Sequence, residues 1–266
     1  MQNVKAIVLT GYGLNCENET AFALEQAGAV VSRIHINALI DRSVQLSEFQ
    51  ILVFGGGFSW GDDHGAGVIQ AVRLKTNIGE DLLSFVLAGS LVIGICNGFQ
   101  ALVNLGLLPG FDGNYRQRSV ALTFNDCGNF RNAWVNLSIN PAAACVFTRG
   151  IETIELPIRH GEGKFYARAS IIERLIAGNQ VVMRYAGPNG RPAAGQFPLN
   201  PNGSLDDIAG ICDPTGRIFG LMPHPEAFNH STNHPDWSRR KCRPLTESSD
   251  ILSGLKIFEN AVAYFG

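Results

Sequence analysis

A thiol, an imidazole and a carboxylate stand out in this 266-residue chain. Cys96 lies in Gly-Ile-Cys-Asn-Gly-Phe-Gln (94–100), directly after the apolar run Leu91-Val92-Ile93. A buried strand ends there, the chain turns on small residues, and helical apolar spacing begins with Phe99, Ala101, Leu102 and Leu105. A side chain at that junction meets the first backbone N–H groups of the helix, whose partial positive charge favours thiolate over thiol. Thiolate is the nucleophilic form and suits attack on a carbonyl carbon. Gly94 and Gly98 fit a tight strand-to-helix elbow, where side chains have no room. Cys16, Cys127, Cys145, Cys212 and Cys242 read as core fillers, since cysteine is among the most buried residue types.

Such a nucleophile needs a base, a group to orient the base, and donors for the oxyanion. Of the six histidines, His224 is set apart by its place in Met-Pro-His-Pro-Glu (222–226), just after an apolar strand. Two prolines keep the backbone extended, and residues two apart in extended chain point the same way. Glu226 can therefore lie beside His224, fix its tautomer and stabilise the imidazolium. By itself this would read as a rigid proline loop with a solvated glutamate; together with Cys96 it reads as a triad. The N–H of Asn97 is one oxyanion donor. A second comes from the loop Gly55-Gly56-Gly57-Phe58-Ser59-Trp60-Gly61-Asp62, through the N–H of Gly57 or of Phe58. No Lys-Ser/Thr pair follows these glycines, so the loop is not a Walker-type phosphate loop.

These residues must be held by strands and helices in alternation. Strands are expected at 4–10, 30–36, 51–54 and 91–95, and helices at 17–26, 68–88 and 97–105. That order predicts a parallel, flavodoxin-like α/β sheet with flanking helices, whose active residues gather at the carboxyl ends of strands. Further on, short strands dominate, at 119–124, 133–139, 152–158, 164–167, 181–185, 208–212 and 218–222, with one helix at 171–177. They predict an antiparallel β layer appended to the parallel sheet and partly joining it. The Pro-, Gly- and Asn-rich stretch 187–204 reads as a surface loop, and 251–265 as a closing amphipathic helix. With no repeat and no linker composition, residues 1–266 read as a single domain.

The chain is 45% hydrophobic and 17% charged, with a net charge of −2. That balance gives no reason to expect nucleic acid or an anionic membrane as partner. No apolar run approaches a bilayer span, and the N-terminus lacks a signal-peptide pattern, so the cytoplasm is the expected compartment. No Cys-x-x-Cys and no cysteine–histidine spacing suggests a metal.

Four motifs occur in order: Gly-Gly-Phe-Ser-Trp-Gly-Asp (56–62), Gly-Ile-Cys-Asn-Gly-Phe-Gln (94–100), Arg-His-Gly-Glu-Gly-Lys-Phe (159–165) and Met-Pro-His-Pro-Glu (222–226). Together they resemble the class I, triad-type glutamine amidotransferases, and within them the glutaminase subunits or domains of phosphoribosylformylglycinamidine synthase. Leu14-Asn15-Cys16-Glu17 also looks like that branch, and the resemblance runs from Val4 to Phe265. It implies hydrolysis of L-glutamine by Cys96, His224 and Glu226, with oxyanion donors around Gly57 and at Asn97. It implies that Gln100 helps to hold the substrate, and that His160, Gly161 and Glu162 lie at the glutamine pocket or the partner face. Ammonia would pass to a large ATP-dependent synthetase subunit, with a small accessory subunit as an optional third. There it would convert formylglycinamide ribonucleotide to the amidine in purine biosynthesis. This chain would carry no cofactor; ATP and Mg2+ would belong to the partner.

The stretch 228–249 is longer than in compact bacterial subunits and holds the basic run Arg239-Arg240-Lys241-Cys242-Arg243, either a solvated loop or a partner contact. Two other readings compete: a γ-glutamyl or amide hydrolase with the same cysteine elbow, and a non-catalytic, regulatory amidotransferase-like subunit. Asn97-Gly98-Phe99-Gln100 speaks against the first and the intact triad residues against the second.

Overall fold

The structure, a computed structural model, describes residues 4–241 and 253–266. Its strands are β1 (Lys5–Thr10), β2 (Val30–His35), β3 (Ile51–Phe54), β4 (Leu91–Ile95), β5 (Ala121–Thr123), β6 (Arg131–Ile139), β7 (Thr153–His160), β8 (Lys164–Tyr166), β9 (Val181–Ala186), β10 (Ile208–Cys212) and β11 (Ile218–Leu221). The helices are α1 (Glu17–Gln26), α2 (Ile36–Ile40), α3 (Val68–Leu87), α4 (Asn97–Leu105), α5 (Ala169–Ala177), α6 (Trp237–Lys241) and α7 (Leu255–Ala263).

Nine strands form one sheet in the order β2-β1-β3-β4-β11-β10-β9-β6-β7. The first five run parallel and the rest are antiparallel. The α/β fold class is as the sequence indicates. The antiparallel strands extend the same sheet edge to edge, while β5 and β8 make a separate ribbon. Every residue of β3, β4, β10 and β11 is buried, which is why these segments are continuous apolar runs rather than alternating ones. α1 packs against α7, and α2 and α4 pack against α3.

The register sets the site. Phe54 of β3 and Gly220 of β11 both stand opposite Gly94 of β4, and Leu221 stands opposite Ile95. Three neighbouring strands thus end level, and each hands over to one part of the candidate triad or oxyanion loop. The β10–β11 turn is braced by the buried Asp213. Its carboxylate accepts from the N–H of Ile218 (2.9 Å) and of Arg217 (3.0 Å), and from the Tyr115 hydroxyl (2.9 Å).

Gly98 is dictated by this packing. A Cβ there would fall 1.9 Å from the carbonyl oxygen of Phe54, a backbone atom of a central strand that cannot yield. Gly98→Ala is expected to cost at least about 3 kcal/mol of stability, read as a lowered denaturation midpoint. A wild-type midpoint in the variant would show that the elbow does not press on β3.

The first part of the 228–249 stretch folds back onto the sheet. Phe228 is fully buried, and Trp134 of β6 lies edge-on to it (ring centroids 5.0 Å) and to His234 (4.3 Å). His234 also pairs with Glu155 of β7 at 3.3 Å. In the basic run, Arg239 pairs with Asp236 at 2.7 Å; Cys242 and Arg243 lie outside the described residues. The short helices α2 and α6 have too few turns to show a period, and the last helix is shorter than the 251–265 pattern suggests. Among the described residues no helix is long and apolar enough to cross a membrane.

Candidate active site

Cys96 sits between β4 and α4 with φ 52° and ψ −107°, a left-handed conformation that a non-glycine residue adopts only when its surroundings enforce it. Its N–H donates to Leu221 O at the end of β11 (2.8 Å), and its carbonyl accepts from Gln100 N (3.1 Å) to open α4. The side chain is thereby thrown out of both elements, with Sγ 3.5 Å from the carbonyl oxygen of Arg159. This is the nucleophile-elbow arrangement.

His224 leaves β11 one strand over. Its N–H donates to Pro157 O of β7 (2.8 Å), which fixes the extended segment. Nδ1 and Glu226 Oε1 are 2.6 Å apart, and the two side chains are 2% and 0% exposed. Burial pulls the imidazole pKa down. The Glu226 carboxylate, together with Cys96 and Cys16, more than offsets this and holds it well above the ordinary histidine range. The structure therefore brings Cys96, His224 and Glu226 together.

Gly56 gives the imidazole its room, because a Cβ there would lie 2.8 Å from His224 Cε1. Of the two loop amides, that of Phe58 donates to Gly13 O (2.9 Å). It is spent on holding the loop, which leaves Gly57 as the oxyanion candidate opposite the Asn97 N–H at the start of α4. The loop after β1 is tied to the same region, through Trp60 N–H to Tyr12 O (2.6 Å) and Asn15 N–H to Gly56 O (3.2 Å).

The side chain of Asn97 joins the elbow to that loop. Its Oδ1 accepts from Ser59 N–H (3.3 Å), and its Nδ2 donates to Asp62 Oδ1 (2.9 Å) and to Gln100 Oε1 (3.1 Å). Gln100 in turn donates to the carbonyl oxygen of Glu162, whose Oε2 accepts from Ala66 N–H at 3.4 Å. Partial burial lifts Asp62 to about 6, against the donation from Asn97, with Glu162 adding repulsion. A carboxyl raised above its unfolded value of 3.8 binds its proton more tightly in the fold. The Asp62 contribution to stability is therefore expected to fall as pH rises from about 4 to about 6 and to level off above. Asp62→Asn should remove that slope in pH-dependent denaturation; an unchanged slope would refute the coupling.

His160 is 3% exposed, with Nδ1 3.1 Å from Asn125 Oδ1. Burial, and then His224, push its pKa down to about 3, so it is neutral at pH 7. A buried side chain cannot meet a partner surface, so His160 lines the interior while Gly161 and Glu162 are half-exposed beside it. Tyr185 is buried, and its phenol is raised by that burial and also by Cys96; its hydroxyl accepts from Asn202 Nδ2 (3.1 Å).

Two neighbours of the triad escape sequence reasoning. Tyr185 looks like any strand aromatic. Cys16, read above as a core filler, lies beside His224, and its sequence signals are its place after the end of β1 and within Leu14-Asn15-Cys16-Glu17. A cleft of about 410 Å³ reaches Ser90 at the amino end of β4, away from these groups, and is lined by neither cysteine nor histidine.

The sequence matches the CobB/CobQ-like glutamine amidotransferase domain over residues 3–265. It is 45% identical to the phosphoribosylformylglycinamidine synthase subunit PurQ of Methanococcus maripaludis, across 98% of this chain and 97% of that protein. The chain belongs to the PurQ family of glutamine amidotransferases. The PurQ of Dehalococcoides mccartyi is also 45% identical, over 99% and 98% of the two chains. A chain in the solved structure of PurLQS from Thermotoga maritima aligns over 100% of both chains, with TM-score 0.72 and 27% identity. A further glutamine amidotransferase structure from T. maritima, 13% identical with TM-score 0.54, shares the fold with the PurQ family.

Proposed function

We propose that this PurQ-family amidotransferase hydrolyses L-glutamine to glutamate and ammonia through a Cys96–His224–Glu226 triad, as the glutaminase subunit of phosphoribosylformylglycinamidine synthase. The thiolate of Cys96 attacks the side-chain amide carbon. The oxygen then carries negative charge, and the N–H groups of Gly57 and Asn97 face it. His224 protonates the departing ammonia, leaving a γ-glutamyl thioester on Cys96. It next takes a proton from the water that cleaves the thioester. Glu226 keeps Nδ1 protonated, so that Nε2 faces the chemistry. Gln100 and the 160–162 loop would line the substrate side of Cys96.

Ammonia then passes to a large synthetase subunit of the PurL kind, which would use ATP and Mg2+ to convert formylglycinamide ribonucleotide to the amidine. This rests on the full-length identity to PurQ proteins and on the likeness to a chain of PurLQS. A small third subunit would complete the assembly. The observation that carries the reading is the 2.6 Å His224–Glu226 pair, buried one strand away from a cysteine on a strained elbow.

The test is reconstitution. The chain mixed with its organism's PurL-type synthetase is expected to form the amidine from glutamine, ATP and the ribonucleotide. Free glutamine is expected to be turned over in preference to γ-glutamyl peptides. Preference for the peptides, or no glutamine-dependent product with an active synthetase, would contradict the proposal.

A further inference from the structure

Cys16 is a buried thiol beside the triad that the reaction does not use. It opens α1, with its carbonyl accepting from Thr20 N (3.1 Å) and Thr20 Oγ1 (2.6 Å). Its Sγ, a ring nitrogen of His224 and a carboxylate oxygen of Glu226 all lie within 4.8 Å of one another, and all three residues are buried. Within this group Glu226 Oε2 has no hydrogen-bond partner, on a side chain 0% exposed. The thiol reaches Asn15 Oδ1 at 3.4 Å, an ordinary weak donation.

We propose that Cys16, His224 and Glu226 form a binding site for a thiophilic divalent cation such as Zn2+, and that its occupancy takes the imidazole out of the reaction. One sulfur, one nitrogen and one oxygen are a donor set that Zn2+ accepts, with a fourth position left for water. Ligand atoms around a tetrahedral zinc sit roughly 3.5 Å apart, so the three side chains need close by only about 1 Å. The charges balance. A thiolate, a carboxylate and a neutral imidazole around a dication give a neutral buried cluster. Binding expels the thiol proton of Cys16 and the proton shared by His224 and Glu226 to solvent. The thiol must lose its proton to bind, so uptake should weaken as pH falls.

Binding itself does not depend on the glutaminase reading; inhibition does. The probe is zinc chloride, titrated into the full chain carrying Cys96→Ser and followed by calorimetry and zinc X-ray absorption. One ion per chain is expected, with a single sulfur at about 2.3 Å. Adding Cys16→Ser should weaken binding tenfold or more. Two sulfurs in the zinc shell, unchanged affinity without Cys16, or no binding below millimolar zinc would overturn the site. Should the Cys16 variant not fold, zinc protection of wild-type Cys16 from iodoacetamide, mapped by mass spectrometry, decides the matter instead, and unprotected Cys16 refutes it. Binding as expected, but with glutamine-dependent turnover of the complex unaffected, would keep the site and sink the role given to His224.

Discussion

Cys96→Ser is expected to lower glutamine-dependent amidine formation by at least about 10³ while the complex still uses added ammonium salt. The split follows from the architecture. Cys96 touches Leu221 and Gln100 through backbone atoms and the carbonyl oxygen of Arg159 through Sγ; a serine leaves the backbone contacts in place and its hydroxyl can still donate toward that carbonyl. What is lost is the nucleophile: a serine hydroxyl beside an imidazole tuned for a thiolate is a poor substitute. The synthetase chemistry lies on the partner and should not notice. Equal loss with glutamine and with ammonium would mean that the substitution disturbs assembly and that Cys96 holds no chemical role.

Glu226→Gln is expected to cost about 10³ in kcat with a smaller change in KM. Oε1 of Glu226 accepts the Nδ1–H at 2.6 Å in a place closed to water, while Oε2 has no partner. An amide there either keeps its oxygen on Nδ1 and buries an unpaired NH2, or turns a donor toward Nδ1 and forces the wrong tautomer. In both cases the negative charge that offsets burial at His224 is gone. The alkaline limb of the kcat/KM profile should therefore move to lower pH. Stability shifts in the same sense. A histidine raised in the fold contributes stability that is complete below about 6.5 and is lost as pH rises through its folded value. The glutamine variant should lack that contribution. A Glu226→Gln enzyme with wild-type kcat and pH profile would show that the carboxylate merely fills space.

How legible the site was depended on how local its signals are. The parallel half could be read because β1, β3 and β4 are apolar runs bounded by glycine loops, and because α1, α3 and α4 carry helical spacing. Cys96 and His224 were legible for the same reason: each follows directly on such a strand. The continuous nine-stranded sheet was not, because alternation along β6 reveals which face is buried but not which strand lies alongside. Cys16 was missed because nothing near it in sequence distinguishes a thiol beside His224 from one in the core. The side chain of Asn97 was read only for its backbone N–H. Its three hydrogen bonds depend on the left-handed backbone at Trp60 and Asp62, which local propensity does not announce.

The account stands or falls on which sulfur meets the substrate. Cys16 and Cys96 both lie beside His224, so a glutamine-shaped electrophile such as a diazoketone analogue has two thiols to choose from. Incubating the intact complex with that analogue and mapping the adduct by peptide mass spectrometry decides it. One adduct per chain on Cys96, prevented by glutamine and formed in step with loss of glutamine-dependent turnover, is the expected result. An adduct on Cys16, or inactivation that leaves Cys96 unlabelled, would contradict it.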